Sequence, residues 1–352
     1  MIRDMSEAPA SPLPDWARSL GLPPHSGRFR EFPEAFQVEE QMSFTPEGEG
    51  EHLWLHCEKR NLSTAQLIRH LSHQLDVAPR DIGVSGLKDH TALTRQWVSV
   101  VLTGRPTPPG LLDLVEMDGL KLLDFGRHPR KLRRGVHRAN RFALYVTGEA
   151  VAEGSFETRW HELVAHGVPN YFGPQRFGHQ GSNLTRARAL MARGWKKKQD
   201  RDGFLLSSAR SFLFNQVLSA RIEQNNWASG LEGDVFNLEG SASQFAGEAL
   251  DDDLRTRLAA LDIHPTGPLW GRGDSGISGK ARALEHAVAE HETALVEGIE
   301  KAGAVPMRRP LRLCLQSPAL ERDGEGLWLH FSLARGGFAT AVLRELFQHP
   351  AL

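Results

Sequence analysis

The sequence predicts an α+β protein in which a sheet domain is interrupted by a long, helix-rich insertion. Strand-like segments crowd the first half of the chain, helix-like segments dominate from Ser182 onward, and strand texture returns at Leu327–Leu333 near the C-terminus. A sheet that opens early and closes late around helices is the simplest chain path that satisfies all three observations.

Phe36–Phe44 and His52–Arg60 alternate apolar and polar residues as half-buried strands do, and Thr45-Pro46-Glu47-Gly48-Glu49-Gly50 joins them with turn residues. Ser63 or Thr64 stands where it can cap a helix carrying Leu67, Ile68 and Leu71 at helical spacing. Asp81-Ile82-Gly83-Val84-Ser85-Gly86 is a brief strand running into glycine, and Thr94–Val100 has the β-branched and aromatic content of another. Asn140–Val146 is strand-like, and Ser155–Ala165 is a helix that ends before Gly167-Val168-Pro169. After Pro169 an irregular loop, Asn170–Gly178, leads into helical segments at Ser182–Arg193, Ser207–Gln224 and Ala281–Lys301. Ala339–Phe347 is a final helix begun by Gly336-Gly337-Phe338.

At 352 residues with 40% apolar content, the chain has room for two domains with real cores, and a charged fraction of 24% is ordinary for a soluble globular protein. The two cysteines, Cys57 and Cys314, are far apart, which argues against a disulfide framework and fits a reducing cytoplasm. No apolar run in Met1–Asp15 suggests a signal peptide, and no stretch approaches the ~18 apolar residues of a membrane span. A cytoplasmic monomer without a membrane partner is the expectation.

The net charge of −1 is uninformative, but its distribution is not. Between Arg127 and Arg141 there are seven bases (Arg127, Arg130, Lys131, Arg133, Arg134, Arg138 and Arg141) and no acid. Between Glu223 and Asp253 there are eight acids and no base. A second basic run, Arg193-Gly194-Trp195-Lys196-Lys197-Lys198, lies between them. Bases with Phe142 and Trp195 close by suit phosphates and unstacked nucleobases, so a nucleic-acid partner is favoured over a merely solvated face.

The segment Gly86-Leu87-Lys88-Asp89-His90-Thr91-Ala92-Leu93-Thr94-Arg95-Gln96-Trp97 sets one carboxylate in a short turn between two strands. Free carboxylates are ionised at neutral pH, and Lys88 and Arg95 are placed to hold Asp89 so. Such a carboxylate can attack carbon without a partner base. An Asp that merely caps its turn is the competing role.

Other signals carry less. Gly271-Arg272-Gly273-Asp274-Ser275-Gly276 fits GxGxxG literally, but Pro265-Thr266-Gly267-Pro268-Leu269-Trp270 before it is a poor strand, so a flexible loop is expected. Gly279-Lys280 lacks the rest of a phosphate-binding loop, and GxSxG is absent. Among sixteen histidines, His70 and His73 share a helix face without a supporting carboxylate or cysteine, so no metal site is expected.

Five stretches together resemble the TruD family of tRNA pseudouridine synthases. They are Phe36-Gln37-Val38-Glu39-Glu40; Gly86-Leu87-Lys88-Asp89 with Thr94-Arg95-Gln96; His137-Arg138-Ala139-Asn140-Arg141-Phe142; Val168 to Gly178; and Gly337-Phe338-Ala339-Thr340-Ala341-Val342-Leu343-Arg344-Glu345. They occur in the family's order and span most of the chain. Ala139 stands where the family often has glycine, Pro174 where it often has an acid, and His90 where it often has arginine.

The resemblance implies a pseudouridine-synthase catalytic domain with a mixed, largely antiparallel sheet at residues 1–166 and 316–352, and an inserted, family-specific α/β domain at 167–315. It implies an isomerase that converts uridine to pseudouridine at position 13 in the D arm of tRNA, with no cofactor and no metal. By carry-over Asp89 is the nucleophile. Whether it attacks C1′ or C6, or acts through a glycal, the sequence leaves open. Phe36, Asn140 and Phe338 match residues that contact the target nucleotide, Phe142 an aromatic of the same motif, and Lys88 belongs to the substrate-binding set.

The residues themselves agree with this reading. A flipped uridine needs a stacking sandwich, which Phe36, Phe142 and Phe338 can supply at ~1–3 kcal/mol per base, and an amide such as Asn140 can read uracil. Arg130, Lys131, Arg133 and Arg134 are expected on the RNA backbone. The same residues would also serve a non-catalytic tRNA-binding protein or chaperone, or a hydrolase using Asp89; product formation separates them.

Overall fold

The structure, a computed structural model, describes residues 13–152, 154–195 and 200–352. Lys196, Lys197 and Lys198 of the second basic run lie outside the described residues. The chain divides into two compact units: residues 25–157 with 315–336, and the described residues up to Pro24 with 158–314 and 337–352.

The first unit begins with β1 (Arg28–Phe29), β2 (Phe36–Gln41), β3 (His52–Arg60), α1 (Thr64–Gln74), β4 (Ile82–Val84) and β5 (Leu93–Val101). It continues through α2 (Leu111–Val115), β6 (Leu120–His128), β7 (Ala139–Thr147) and α3 (Glu149–Ala152), and α4 (Ser155–His166) crosses the boundary. The second unit holds β8 (Val168–Pro169), α5 (Ser182–Ala192), α6 (Asp200–Glu223), β9 (Val235–Leu238), β10 (Gln244–Ala246), α7 (Asp252–Ala259), β11 (Ile263–Leu269), α8 (Gly279–Glu290), α9 (Thr293–Lys301), β12 (Met307–Pro310) and β13 (Arg312–Leu313). The chain then returns to the first sheet with β14 (Gln316–Asp323) and β15 (Gly326–Ala334) before α10 (Ala339–Leu346).

The first unit is a nine-stranded sheet ordered β14-β15-β7-β2-β5-β3-β6, with β1 on β7 and β4 on β5. Every pairing is antiparallel except β2 with β5. This is the mixed, largely antiparallel sheet of the predicted α+β class. Leu53, Leu55, Cys57, Val98 and Val100 alternate onto one face, where Leu67 and Leu71 of α1 bury against them. Each such leucine contributes about 1.5–3 kcal/mol. The cap of α1 is Ser63, whose Oγ accepts from Gln66 N while Gln66 Oε1 accepts from Ser63 N. This reciprocal pairing satisfies two otherwise orphaned backbone donors.

Strand β6 escapes a reading of its sequence because its pairing with β3 shifts register between His56 and Cys57. Asp124 opposes His56 and Leu122 opposes Cys57, so the strict alternation that betrays a strand is broken at Leu123.

In the second unit, β10-β9-β11-β12 form a four-stranded sheet, and β8 pairs with β13. The segment expected to be a poor strand is therefore β11, despite two prolines. Ile263–Pro265 pairs with β9 and Thr266–Leu269 with β12; Pro268 therefore has a strand on one side only, and Pro265, which lacks an N–H, still offers its carbonyl, which accepts from Leu311 N at 2.8 Å. The glycines of the GxGxxG match do follow it as loop, between β11 and α8. The acidic stretch ends in helix α7, where the Asp251 side chain accepts from Leu254 N at 2.9 Å and Asp252 and Asp253 sit in the first turn, complementing the helix dipole. The helix expected over Ala281–Lys301 is two, α8 and α9. They part at Glu292 (φ −128°, ψ 35°), whose carboxylate oxygens accept from Nη1 and Nη2 of Arg188 at 2.5 and 2.7 Å. Tyr171, Phe172 and Phe177 of the loop after Pro169 are buried in the core of this unit beside Trp16 and Phe212.

Candidate active site

Asp89 lies in the turn between β4 and β5, with its side chain 42% exposed. Its carboxylate accepts from Arg30 Nη2 at 2.5 Å. Arg30 sits just after β1 in the left-handed region (φ 58°), an uncommon conformation for a residue other than glycine. From there its guanidinium carbon reaches 3.9 Å from the centre of the Phe36 ring. Burial pushes the Arg30 guanidinium down from its usual value, opposed by the charge of Asp89. The stacked cation ties the nucleophile candidate to Phe36, which is itself fully buried.

Neither of the cations expected to hold Asp89 does so. Lys88 turns the other way, placing Nζ 2.8 Å from Glu40 Oε1 and donating to Asn140 Oδ1 at 2.9 Å. Arg95 Nε donates to Glu58 Oε2 at 2.8 Å. Strand alternation explains the second case, because Arg95 points to the sheet face opposite Thr94 and Gln96, which are buried.

Behind the turn is a buried polar network on one sheet face. The register sets Glu40 of β2 opposite Asn140 of β7. The side chains of Glu40 and Lys88 are 0% and 6% exposed. Burial raises the Glu40 carboxyl above the usual carboxylate range, against the pull of Lys88. Trp97 N donates to Glu40 Oε2 at 3.3 Å, and Lys88 N donates to Thr64 Oγ1 at 3.0 Å. Lys59 is also buried, donates to Leu62 O at 2.8 Å, and is pushed down to about 8 by burial and by Lys88. Gly86 leaves room for the network: a Cβ there would stand 3.2 Å from Lys88 Nζ and 3.4 Å from Glu40 Oε1.

The remaining residues singled out in the sequence are distributed as follows. Phe142, on the same face of β7 as Asn140, is buried and stacked on Phe331 with centroids 5.3 Å apart. Phe338 belongs to the second unit, where it precedes α10 and packs against Phe172 at 5.8 Å. The basic stretch runs from the end of β6 into β7. Its backbone is pinned by Trp54 Nε1 donating to Arg130 O and by Gly135 N donating to Ser85 O, while Arg130, Arg133 and Arg134 are exposed. Lys131 is half-buried and donates to Arg80 O. Arg30, Glu40, Lys59 and His137 had no assigned role from sequence. Glu40 and His137 fall inside the family motifs, whereas Arg30 precedes them and nothing in its neighbours marks it.

Among the described residues, Glu239, His264 and Cys314 bring potential metal ligands within 4.8 Å of one another. Arg312 Nε donates to His264 Nδ1 at 2.9 Å, so the ring proton sits on Nε2 and is donated to Glu239 Oε2 at 2.7 Å. A metal would need that nitrogen bare while Nδ1 still accepts, which amounts to an imidazolate. The trio is built as a hydrogen-bonded chain.

The tRNA pseudouridine synthase D (TruD) family model matches residues 18–201 and 199–346. The tRNA pseudouridine synthase D of Chromohalobacter salexigens is 51% identical over 349 residues, covering 99% of this chain and 100% of that protein. That of Methylococcus capsulatus is 43% identical over 340 residues, covering 95% and 94%. The crystal structure of a putative tRNA pseudouridine synthase D from Methanosarcina mazei shares the fold, with a TM-score of 0.69 at 22% identity over 94% of this chain and 95% of that one. An α+β protein with this sheet and these relatives is a pseudouridine synthase, an isomerase acting on RNA. Within that class the chain belongs to the tRNA pseudouridine synthase D (TruD) family.

Proposed function

We propose that the chain isomerises uridine to pseudouridine at position 13 in the D arm of tRNA, with Asp89 as the nucleophile and no cofactor. The observation that carries this is the placement of Asp89: a solvent-facing carboxylate, clamped by Arg30 over Phe36, beside a buried network that takes in Asn140. The turn leaves the carboxylate open to a base or sugar flipped out of the RNA. Attack bonds the carboxylate transiently to the nucleotide, and the C–N glycosidic bond breaks. The uracil turns while bound, a C–C bond forms from C1′ to C5, the bond to Asp89 breaks again, and the C5 proton is lost while N1 gains one. Substrate and product are isomers, so electrons balance without an external oxidant or reductant. Arg30 aims the carboxylate, Asn140 reads the base, and half-buried Phe338 is assigned to stacking on the nucleotide, whereas Phe36, buried beneath Arg30, and Phe142, buried against Phe331, are assigned to the floor behind Asp89 and Asn140.

A catalytic domain at residues 1–166 and 316–352 is assigned the chemistry and residues 167–315 the recognition of tRNA; these bounds are wider than the compact sheet unit, since residues 13–24, 158–166 and 337–352 group with the second unit. No helix among the described residues is long and apolar enough to cross a membrane, and we place the activity in the cytoplasm. The direct test is to incubate the protein with unmodified tRNA transcript and map carbodiimide-reactive pseudouridines. A single new signal at position 13 is expected. Signal elsewhere would overturn the position, and free uracil would identify a hydrolase.

The exposed guanidiniums of Arg130, Arg133 and Arg134, with Lys131 beside them, are assigned to phosphates. Replacing all four with Ala is expected to weaken tRNA binding and to flatten the slope of log affinity against log salt by about 0.7–0.9 for each phosphate no longer neutralised. An unchanged slope, measured by filter binding over a salt series, would remove this stretch from the interface.

A further inference from the structure

The network around Asn140 fixes which atoms of its amide face which neighbour. An ammonium has only hydrogens to offer, so the Asn140 atom 2.9 Å from Lys88 Nζ must be the carbonyl Oδ1. Nδ2 then lies 3.4 Å from His137 Nε2, and a ring nitrogen facing an NH2 group has to accept. The ring proton of His137 is therefore on Nδ1, 2.6 Å from Ser85 Oγ, and that oxygen also accepts from His137 N at 2.8 Å. The opposite tautomer would set N–H against N–H. A neutral ring is what burial, Lys88 and Arg335 enforce, pushing His137 down to about 4.

The chain of bonds runs in one direction, from the Glu40–Lys88 pair through Asn140 and His137 to Ser85. Oδ1 faces a buried ion pair, and one Nδ2 hydrogen faces a buried ring. The second Nδ2 hydrogen is the group left over. Resting on the reading that Asn140 meets the target base, we infer that Asn140 serves as a hydrogen-bond donor, reads a carbonyl oxygen of uracil and not its N3–H, and is held in that orientation by Lys88 and His137 as positioning residues. Uracil offers carbonyl acceptors at C2 and C4, whereas cytosine keeps the first and replaces the second with an amino donor. A fixed donor that meets the C4 edge therefore rejects cytosine, leaving two donors unpaired, whereas one that meets the C2 edge does not distinguish the two bases.

Two measurements test this. In protein labelled with 15N-histidine, long-range 15N–1H correlation spectra read the His137 tautomer directly, with the signal assigned by its loss in His137→Gln. The Nδ1-protonated neutral ring is expected across pH 6–8, well above the value of about 4 to which burial and its cationic neighbours push His137, and an Nε2-protonated ring overturns the inference. Asn140→Asp keeps the shape but removes both donors. Its kcat/KM on tRNA is expected to fall about 10- to 100-fold, the effect of one buried hydrogen bond left unmade, with tRNA affinity within about twofold, and parent-like conversion overturns the inference. Failure of the parent protein to form pseudouridine at all would instead overturn the functional reading beneath it.

Discussion

Asp89→Asn is expected to reduce conversion of uridine to below detection while tRNA affinity stays level or rises slightly. The substitution keeps the size of the side chain and an oxygen that can still accept from Arg30, so the turn and the stacking of Arg30 on Phe36 should survive. It removes the negative charge that attacks carbon. Glu40, the acid of the neighbouring network, cannot take over, because its side chain is fully buried and held against Lys88. The small gain in affinity follows from removing one charge that faces a polyanion. The measurement is single-turnover conversion of labelled tRNA with enzyme in excess. A stable adduct with tRNA carrying 5-fluorouridine should form with the parent and not with the variant. Measurable pseudouridine from Asp89→Asn purified free of host enzyme would rule out Asp89 as the nucleophile even though the family membership would stand.

Parts of this site were legible in the sequence for physical reasons that can be named. Asp89 stood out only in company: an Asp in a turn usually caps it, and it was the order of five family-like stretches around it that favoured a nucleophile, while Asn140 stood out because an amide inside a strand needs partners. The partners themselves could not be read. Glu40 reaches Asn140 only through the pairing register of β2 with β7, a relation across about a hundred residues of chain that no local pattern encodes. Arg30 reaches Asp89 because its backbone takes a left-handed turn after a two-residue strand, and neither feature has a sequence signal of its own. Proximity along the chain suggested Lys88 and Arg95 instead. Neighbours in a strand or tight turn point apart more often than together. The sheet of the second unit was hidden for another reason: β11 carries Pro265, Gly267 and Pro268, residues that weaken any local strand signal, yet the ladder partners of β11 change from β9 to β12 midway and Pro265 needs only its carbonyl, which accepts from Leu311 N.

Lys88→Met is the substitution expected to cost most in stability. It leaves the Glu40 carboxylate, 0% exposed, without the cation 2.8 Å away that offsets its desolvation. Breaking one partner out of a buried pair typically costs about 3–5 kcal/mol, and urea unfolding should show a loss toward the lower end of that range, because Glu40 can escape by taking up a proton. Burial already raises Glu40 in the parent, and without Lys88 it rises further. The folded variant then binds more protons than the unfolded chain, so its stability is greatest in acid and is lost as pH rises through the carboxylate range and beyond. A second variant separates stability from function. Glu40→Gln with Lys88→Met removes both charges and should recover most of the lost stability, since a neutral buried pair carries no uncompensated charge. Activity should not recover, because nothing then holds Asn140 Oδ1 inward, and kcat/KM should remain down by about tenfold or more for the hydrogen bond left unmade. A single variant as stable as the parent would mean that Glu40 is not buried with its charge. A double variant with parent-like turnover would mean that Lys88 supports the fold alone and has no part in aiming Asn140.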